Sequence, residues 1–235
     1  MINSVENYNP ELSGRTVPKL QIAILLIFII LYPATSIIMG IINPPSPGEI
    51  ESRILQIYLP AIILQTILIT LVVLSLRRNG ESLSAIGFGK NDFTISNTVT
   101  GIIFFVGAFT LMFIIKSAFT RSGYLPPEEI DYILPMTITE KSLWVVLSLG
   151  AALSEEFSFR GFVISRFKIL TNKYLVGAII GSLAFSMGHI YQGISGVILT
   201  FIYGMLFAGL YVARRSLFPC VVAHFLQDVI VLFVI

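Results

Sequence analysis

The architecture of this chain is decided by a charged stretch within a long apolar segment, Glu155-Glu156-Phe157-Ser158-Phe159-Arg160. On insertion scales, one charged side chain at the centre of a bilayer costs roughly 2.5–3.5 kcal/mol. Two carboxylates and one guanidinium in a single membrane segment must therefore be paired or must face an internal aqueous cavity. A functional role is the first hypothesis for such groups.

The overall composition is that of a polytopic membrane protein. Of the 235 residues, 55% are hydrophobic and 12% are charged, and the mean hydropathy is +0.88. A soluble globular domain is much less apolar, so that class is excluded. The net charge of +2 and the lack of a basic run argue against nucleic-acid binding. The single cysteine, Cys220, excludes an internal disulfide and a cysteine-based metal cluster.

Apolar runs of about twenty residues predict an all-α transmembrane helical bundle of seven spanning segments, with an eighth, re-entrant segment as the alternative. Residues 1–19 are expected to form a polar N-terminal tail, and residues 20–235 a single transmembrane domain. The segments are expected at 20–42, 54–76, 97–115, 142–167, 174–192, 194–213 and 217–235. The polar connection at 116–141 favours a short interfacial helix over a lid.

The distribution of lysine and arginine indicates the orientation of the bundle. A cytoplasmic N-terminus would place ten basic residues on the inner side, namely Arg15, Lys19, Arg77, Arg78, Lys90, Arg166, Lys168, Lys173, Arg214 and Arg215. The outer side would carry only four, namely Arg53, Lys116, Arg121 and Lys141. Because inner loops are enriched in basic residues, the N-terminus is expected in the cytoplasm.

Six ionisable residues at membrane depth fall in the C-terminal third of the chain, namely Glu155, Glu156, Arg160, His189, His224 and Asp228. The three acids alone would cost roughly 7–10 kcal/mol at mid-bilayer, which is comparable to the stability of a whole domain. Glu156 and Arg160 are four residues apart, so they share a helix face and can pair. His224 and Asp228 have the same spacing and can project into one site. A carboxylate that faces an imidazole in a low-dielectric pocket is typical of a general base.

Two other kinds of protein are consistent with these residues. Intramembrane Glu, His and Asp also mark proton-coupled transporters, although the first three segments lack such residues and the sequence has no evident inverted repeat. A catalytically silent immunity or scaffold protein would use the same helices for contacts alone. Loss of peptide cleavage on substituting Glu155 by alanine distinguishes a protease from both.

Three ordered motifs resemble the CPBP family of intramembrane proteases. The motifs are Glu155-Glu156-x-x-x-Arg160 followed by Gly161, Phe185-x-x-x-His189, and His224-x-x-x-Asp228. This family comprises the CAAX prenyl endopeptidases and the bacterial Abi, or bacteriocin-processing, proteins. The resemblance covers about residues 140–232 as the catalytic core. It implies an intramembrane endopeptidase in a prokaryotic cell membrane, acting on a peptide or protein substrate that is lipidated or membrane-inserted.

The resemblance also implies a role for each motif residue. Glu155 would be the base that activates water, and His189 would polarise the same water, so a Glu155–His189 contact is expected. Glu156 and Arg160 would form a supporting pair. His224 and Asp228 would stabilise the tetrahedral oxyanion or orient the carbonyl.

The chain departs from the family pattern at Asp228, where prenyl endopeptidases typically carry asparagine. An ionised aspartate only accepts hydrogen bonds, so it cannot donate to an oxyanion. Asp228 is therefore protonated, orients His224, or ligates a metal. No cofactor is favoured, and zinc is the alternative. Its nitrogen and oxygen ligands would be Glu155, His189, His224 and Asp228.

Overall fold

The computed structural model describes residues 16–42, 50–123 and 131–233, and within these ranges the chain is helical without strands. Seven main helices follow one another, namely α1 (19–42), α2 (Ile54–Arg78), α3 (Ile95–Arg121), α4 (138–171), α5 (Tyr174–Met187), α6 (Gly193–Arg214) and α7 (Phe218–Val229). Short 3₁₀ helices join or end them at Leu83–Ile86, Lys90–Asp92, Asp131–Ile133, Ile190–Gln192 and Ile230–Phe233. The predicted all-α bundle is confirmed.

Four described helical stretches are long and apolar enough to cross a membrane, namely Lys19–Gly40, Ile54–Arg78, Ile95–Arg121 and Ile190–Arg214. Two further apolar helices are shorter, Tyr174–Met187 and Phe218–Phe233. Helix α4 is long, but it carries the charged stretch. The bundle is that of a membrane protein, and the count of seven crossings stays a prediction.

Two boundaries differ from those expected from the sequence. Helix α3 continues to Arg121, so the connection that follows it is shorter than predicted. Helix α4 begins at Ile138 because the Thr137 hydroxyl accepts from the Glu140 amide while the Glu140 carboxylate accepts from the Thr137 amide. Of the predicted interfacial helix, only the 3₁₀ turn Asp131–Ile133 is described. Residues 124–130, and residues 1–15 of the predicted tail, lie outside the described ranges.

Within the described residues, three helices contain π-helical turns, in which hydrogen bonds reach five residues back. The turn Ile27–Leu31 of α1 ends two residues before Pro33, and the turn Ile54–Tyr58 of α2 ends two residues before Pro60. Proline clashes with the carbonyl four residues earlier, and a wider turn relieves that clash. The turn Glu156–Val163 of α4 contains no proline and coincides with the charged motif. Such turns occur frequently at functional sites.

The π segment of α4 lies at the centre of the bundle. All eight of its residues are buried, and it packs against α1, α2, α5 and α6, while α7 lies between α3 and α4. Glycines allow α5 to approach α4 closely. A Cβ at Gly177 would lie 2.7 Å from Ile164 Cα, and one at Gly181 would lie 2.9 Å from the Phe159 carbonyl oxygen. The backbone of α5 therefore rests directly on the helix that carries the glutamates.

Helix α5 is too short to cross the membrane alone. Its 14 residues rise about 21 Å, against about 30 Å for the hydrocarbon core. His189 belongs to the connection from α5 to α6, directly after the end of α5.

Candidate active site

His224 lies at the centre of a cluster of carboxylates. Its Nδ1 is 2.9 Å from Glu156 Oε1, and its Nε2 is 3.5 Å from Glu155 Oε2 and 3.7 Å from Asp228 Oδ2. Because a carboxylate accepts hydrogen bonds, the Nδ1–H group donates to Glu156 and fixes the orientation of the ring. The structure thus brings three acidic side chains from α4 and α7 to one imidazole.

Glu156 and Arg160 form the expected ion pair, with Nη1 and Oε1 3.1 Å apart. Both side chains are buried, at 0% and 2% exposure. The guanidinium carbon lies 4.3 Å from the centre of the Phe185 ring and 5.5 Å from that of Phe207, so two aromatic faces also surround the cation. Glu156 Oε1 therefore holds Arg160 and His224 at the same time.

The two glutamates differ in their access to water. Glu155 keeps 16% of its side-chain surface exposed and Asp228 keeps 26%, whereas Glu156 keeps none. Adjacent residues of a helix point in directions about 100° apart. Both glutamates nevertheless reach the His224 ring, because its two nitrogens lie on different edges. The structure thus places the two glutamates at different nitrogens of one histidine ring.

His189 makes its hydrogen bond outside this cluster of carboxylates. Its Nδ1 is 2.8 Å from the Phe185 carbonyl oxygen, which can only accept, so Nδ1 carries the proton and Nε2 of the neutral ring carries the lone pair. The ring packs against Phe185 at 4.6 Å and Tyr191 at 5.9 Å between centroids. Among the described residues, no direct hydrogen bond or ion pair joins His189 to Glu155. His224 lies directly beside Glu155, and the Glu155–His189 contact through a shared water stays a prediction.

Trp144 is a supporting residue that sequence reasoning missed. Its indole Nε1–H donates to the backbone carbonyl of Asp228 at 2.9 Å, and the Tyr58 ring packs against it at 6.0 Å. This bond ties the end of α7 to the first half of α4 and so positions Asp228. A signal existed in the sequence, because Trp144 is the single tryptophan and its N–H group needs a partner when it is buried.

Arg166, near the inner end of the predicted fourth segment, is buried and paired. Its side chain is 1% exposed, and its Nη1 donates to Glu81 Oε2 at 2.9 Å and to Gln21 Oε1 at 2.7 Å. Gln21 in turn donates to Glu81 at 2.7 Å. The π segment continues α4 inward, so that Arg166 meets the start of α1 and the loop after α2. This network fixes the end of α4 below the active site.

Three of the four residues proposed as zinc ligands meet in the cluster, since His224 Nε2 lies 3.5 Å from Glu155 Oε2 and 3.7 Å from Asp228 Oδ2. His189 has its hydrogen bond to the Phe185 carbonyl. In the parts of the chain that the structure describes, no group of three or more His, Cys, Asp or Glu side chains is arranged to hold a metal ion. The zinc alternative stays a prediction.

Comparison with known proteins bears on the same region. Residues 138–230 match a family model described as Rce1-like, type II CAAX prenyl endopeptidase Rce1-like. This region is therefore similar to the type II CAAX prenyl endopeptidases. It spans α4 to α7 and contains the six ionisable residues at membrane depth, whereas α1 to α3 lie outside it. No curated protein and no solved structure matches the chain.

The family match supports a coarse functional statement. A CAAX-type protease is an intramembrane endopeptidase, and its substrate is a peptide or protein in the membrane. The long apolar helices are those of a membrane protein, and residues 138–230 are similar to a family of CAAX-type proteases.

Proposed function

We propose that this protein hydrolyses a peptide bond within the bilayer, with Glu155 as the base that activates the attacking water. The observation that carries the proposal is the convergence of Glu155 and Asp228, both partly open to water, on a histidine held by a fully buried ion pair. This arrangement gives one carboxylate freedom to exchange a proton while its neighbours are fixed.

The two glutamates have separate roles in this proposal. Glu156 accepts from His224 and pairs with Arg160 through the same oxygen, so it is committed to holding both side chains. Glu155 keeps solvent contact and lies farther from the imidazole, at 3.5 Å. A base must reach a water molecule, and of the pair only Glu155 has exposed side-chain surface.

The reaction then proceeds in two proton transfers. Glu155 takes a proton from water as the water oxygen attacks the scissile carbonyl carbon, giving a tetrahedral intermediate. Glu155 returns that proton to the amide nitrogen as the carbon–nitrogen bond breaks, releasing an amine and a carboxylate. His224 keeps Glu155 and Asp228 in place through Nε2, and the lone pair of His189 Nε2 is a second acceptor for the water.

The proposal uses no metal ion, because Glu155 itself activates the water. Its substrate class is a membrane-associated peptide or protein. Prenylated tails, leader peptides and secreted pheromone precursors are the members of that class to be screened. The proposed location is a prokaryotic cell membrane with the N-terminus in the cytoplasm, which the ten inner and four outer basic residues favour.

A screen of tagged peptide precursors in vesicles that contain the purified protein tests the proposal. Cleavage, followed by mass spectrometry, should fall by about 10²–10⁴-fold in Glu155→Ala, since a general base contributes that much. Glu51→Gln is the matched control, because Glu51 is an exposed acid outside the cluster. The same samples are assayed for bound metal. The proposal expects that they do not contain one metal ion per chain.

The rival functions give different results in this experiment. A scaffold protein cleaves no peptide in either form, and a proton-coupled transporter moves protons in response to its cargo while cleaving nothing. Cleavage that persists in Glu155→Ala would remove Glu155 as the base. Activity that is lost on chelation and restored by zinc would overturn the metal-free mechanism.

A further inference from the structure

The tetrahedral intermediate of peptide hydrolysis carries a negative oxygen, and an active site stabilises it with hydrogen-bond donors placed in advance. The carboxylates of the cluster are unsuited to this task. Glu155 acts as the base, and an ionised Asp228 only accepts. The backbone carbonyl of Asp228 also takes the indole N–H of Trp144. The donor that an asparagine would supply at position 228 is therefore missing.

The donors of the cluster itself are already engaged. His224 donates through Nδ1 to Glu156 and presents Nε2 to two carboxylates. His189 donates through Nδ1 to the Phe185 carbonyl, which leaves a lone pair on Nε2 of the neutral ring. The Arg160 guanidinium is paired with Glu156 and covered by aromatic rings. An oxyanion donor must come from a side chain beside these residues.

Tyr32 reaches the site from α1, which lies outside the family match. Its ring centroid is 5.3 Å from that of Phe159, which is four residues after Glu155. A Cβ built on Gly188 would lie 2.7 Å from both Cζ and Oη of Tyr32, so the phenol rests on the backbone just before His189. The phenol also lies within electrostatic reach of the Glu155 carboxylate. The phenol therefore lies against the segment that leads into His189 and against the helix that carries Glu155.

The π turn of α1 explains this placement. The turn Ile27–Leu31 ends directly before Tyr32. One additional residue in a helical turn rotates all later side chains by about 100° relative to a regular α-helix. The same turn contacts the π segment of α4, Glu156–Val163. Two wide turns thus meet, and Tyr32 projects from one of them while Glu155 immediately precedes the other.

We infer that the Tyr32 hydroxyl donates a hydrogen bond to the scissile carbonyl oxygen and stabilises the oxyanion in place of an asparagine at position 228. The inference rests on the proposed peptidase function and deepens it. The hydroxyl keeps its proton throughout, and Glu155 alone carries the proton from water to the leaving amine. The unmatched N-terminal half of the chain thereby contributes a catalytic residue.

Steady-state cleavage of a peptide that the wild type accepts tests the assignment. Tyr32→Phe keeps the ring and removes the hydroxyl, and it should lower kcat by about 10²–10³-fold, the usual cost of one oxyanion donor. KM should change by less than about twofold, because the bond is made chiefly in the transition state. Binding of a peptidyl phosphinate, a tetrahedral analogue, should weaken by the same factor as kcat/KM.

Two further variants keep the test decisive. Tyr174→Phe removes a hydroxyl at the opposite end of α5 and should leave kcat and phosphinate binding unchanged. Gly188→Ala adds a methyl group where the Tyr32 ring lies and should lower kcat without removing the hydroxyl. This second variant remains informative if Tyr32→Phe folds poorly in a thermal unfolding assay.

The outcomes separate the two hypotheses. An unchanged kcat in Tyr32→Phe, or a rise in KM alone, overturns the donor role of Tyr32 and leaves the peptidase standing. A loss of kcat in Tyr191→Phe instead would transfer the role to the other phenol near Glu155 and overturn this assignment. A wild type that cleaves no peptide, with Glu155→Ala indistinguishable from it, overturns the proposed function and the Tyr32 assignment with it.

Discussion

Helix α4 carries two buried arginines six residues apart, and each is paired with a glutamate. Arg160 lies 3.1 Å from Glu156 and Arg166 lies 2.9 Å from Glu81, at 2% and 1% exposure. Each also lies near aromatic rings, 4.3 Å from that of Phe185 and 5.3 Å from that of Phe162, respectively. By burial and pairing alone, the two sites are equivalent.

Their surroundings distinguish them. The Glu156 carboxylate also accepts from His224, which faces two carboxylates that keep contact with water. The Glu81 carboxylate accepts from Gln21, and this network ties α1 and the loop after α2 to α4. A buried charge at membrane depth is therefore insufficient evidence of catalysis. The useful criterion is whether the buried pair orients a titratable group that water can reach.

The largest effect is expected from Arg160→Met. Removing one partner of a buried ion pair costs about 3–5 kcal/mol of stability, because the other charge stays buried. Cleavage per folded molecule should also fall by about 10- to 100-fold, since Glu156 loses its anchor and His224 its fixed orientation. Thermal unfolding in detergent measures the first effect and peptide cleavage the second.

Arg166→Met is the matched variant and sharpens the comparison. Its free energy of unfolding should fall by a similar amount, about 3–5 kcal/mol, which is the usual cost of breaking a buried ion pair. Cleavage per folded molecule should stay within about twofold of wild type, because the network lies outside the carboxylate cluster. The double variant Arg166→Met with Glu81→Gln should regain much of the stability. An equal loss of activity per folded molecule in both arginine variants would remove the distinction between the two sites.

The smallest effect is expected from Asp228→Asn. The substitution keeps the shape and adds an amide donor, so the cleavage rate should change by less than about tenfold, the value of one ordinary hydrogen bond. In a Tyr32→Phe background, the same substitution should restore part of the lost kcat, since asparagine supplies a donor near the oxyanion. A loss as large as that of Glu155→Ala would show that the charge of Asp228 is essential.

The sequence predicted the parts of the site that depend on local geometry. The four-residue spacings of Glu156 with Arg160 and of His224 with Asp228 are observed as close pairs, at 3.1 Å and 3.7 Å. The family motifs also located the matched region, which starts within two residues of the predicted start of the catalytic core at 140. These features need only the regularity of a helix turn, which a single sequence contains.

The parts that depend on tertiary contacts were not predicted. Arg166 meets partners 85 and 145 residues earlier in the chain, and no spacing rule reaches so far. Tyr32 faces the site because of a π turn, which changes the helical phase on which periodicity arguments depend. His189 lies beyond the end of α5, where its Nδ1 bonds to the Phe185 carbonyl, so helix-based spacing did not predict its direction.

The most direct test of the central claim is the source of the oxygen in the newly formed carboxylate. A single turnover of the wild-type protein in ¹⁸O-enriched water should place one ¹⁸O atom in the new C-terminal carboxylate of the product and none in Glu155. This result follows if Glu155 is a base that directs water onto the carbonyl carbon. Product without ¹⁸O, together with ¹⁸O in the Glu155 carboxylate, would show a covalent attack by Glu155 and contradict the account.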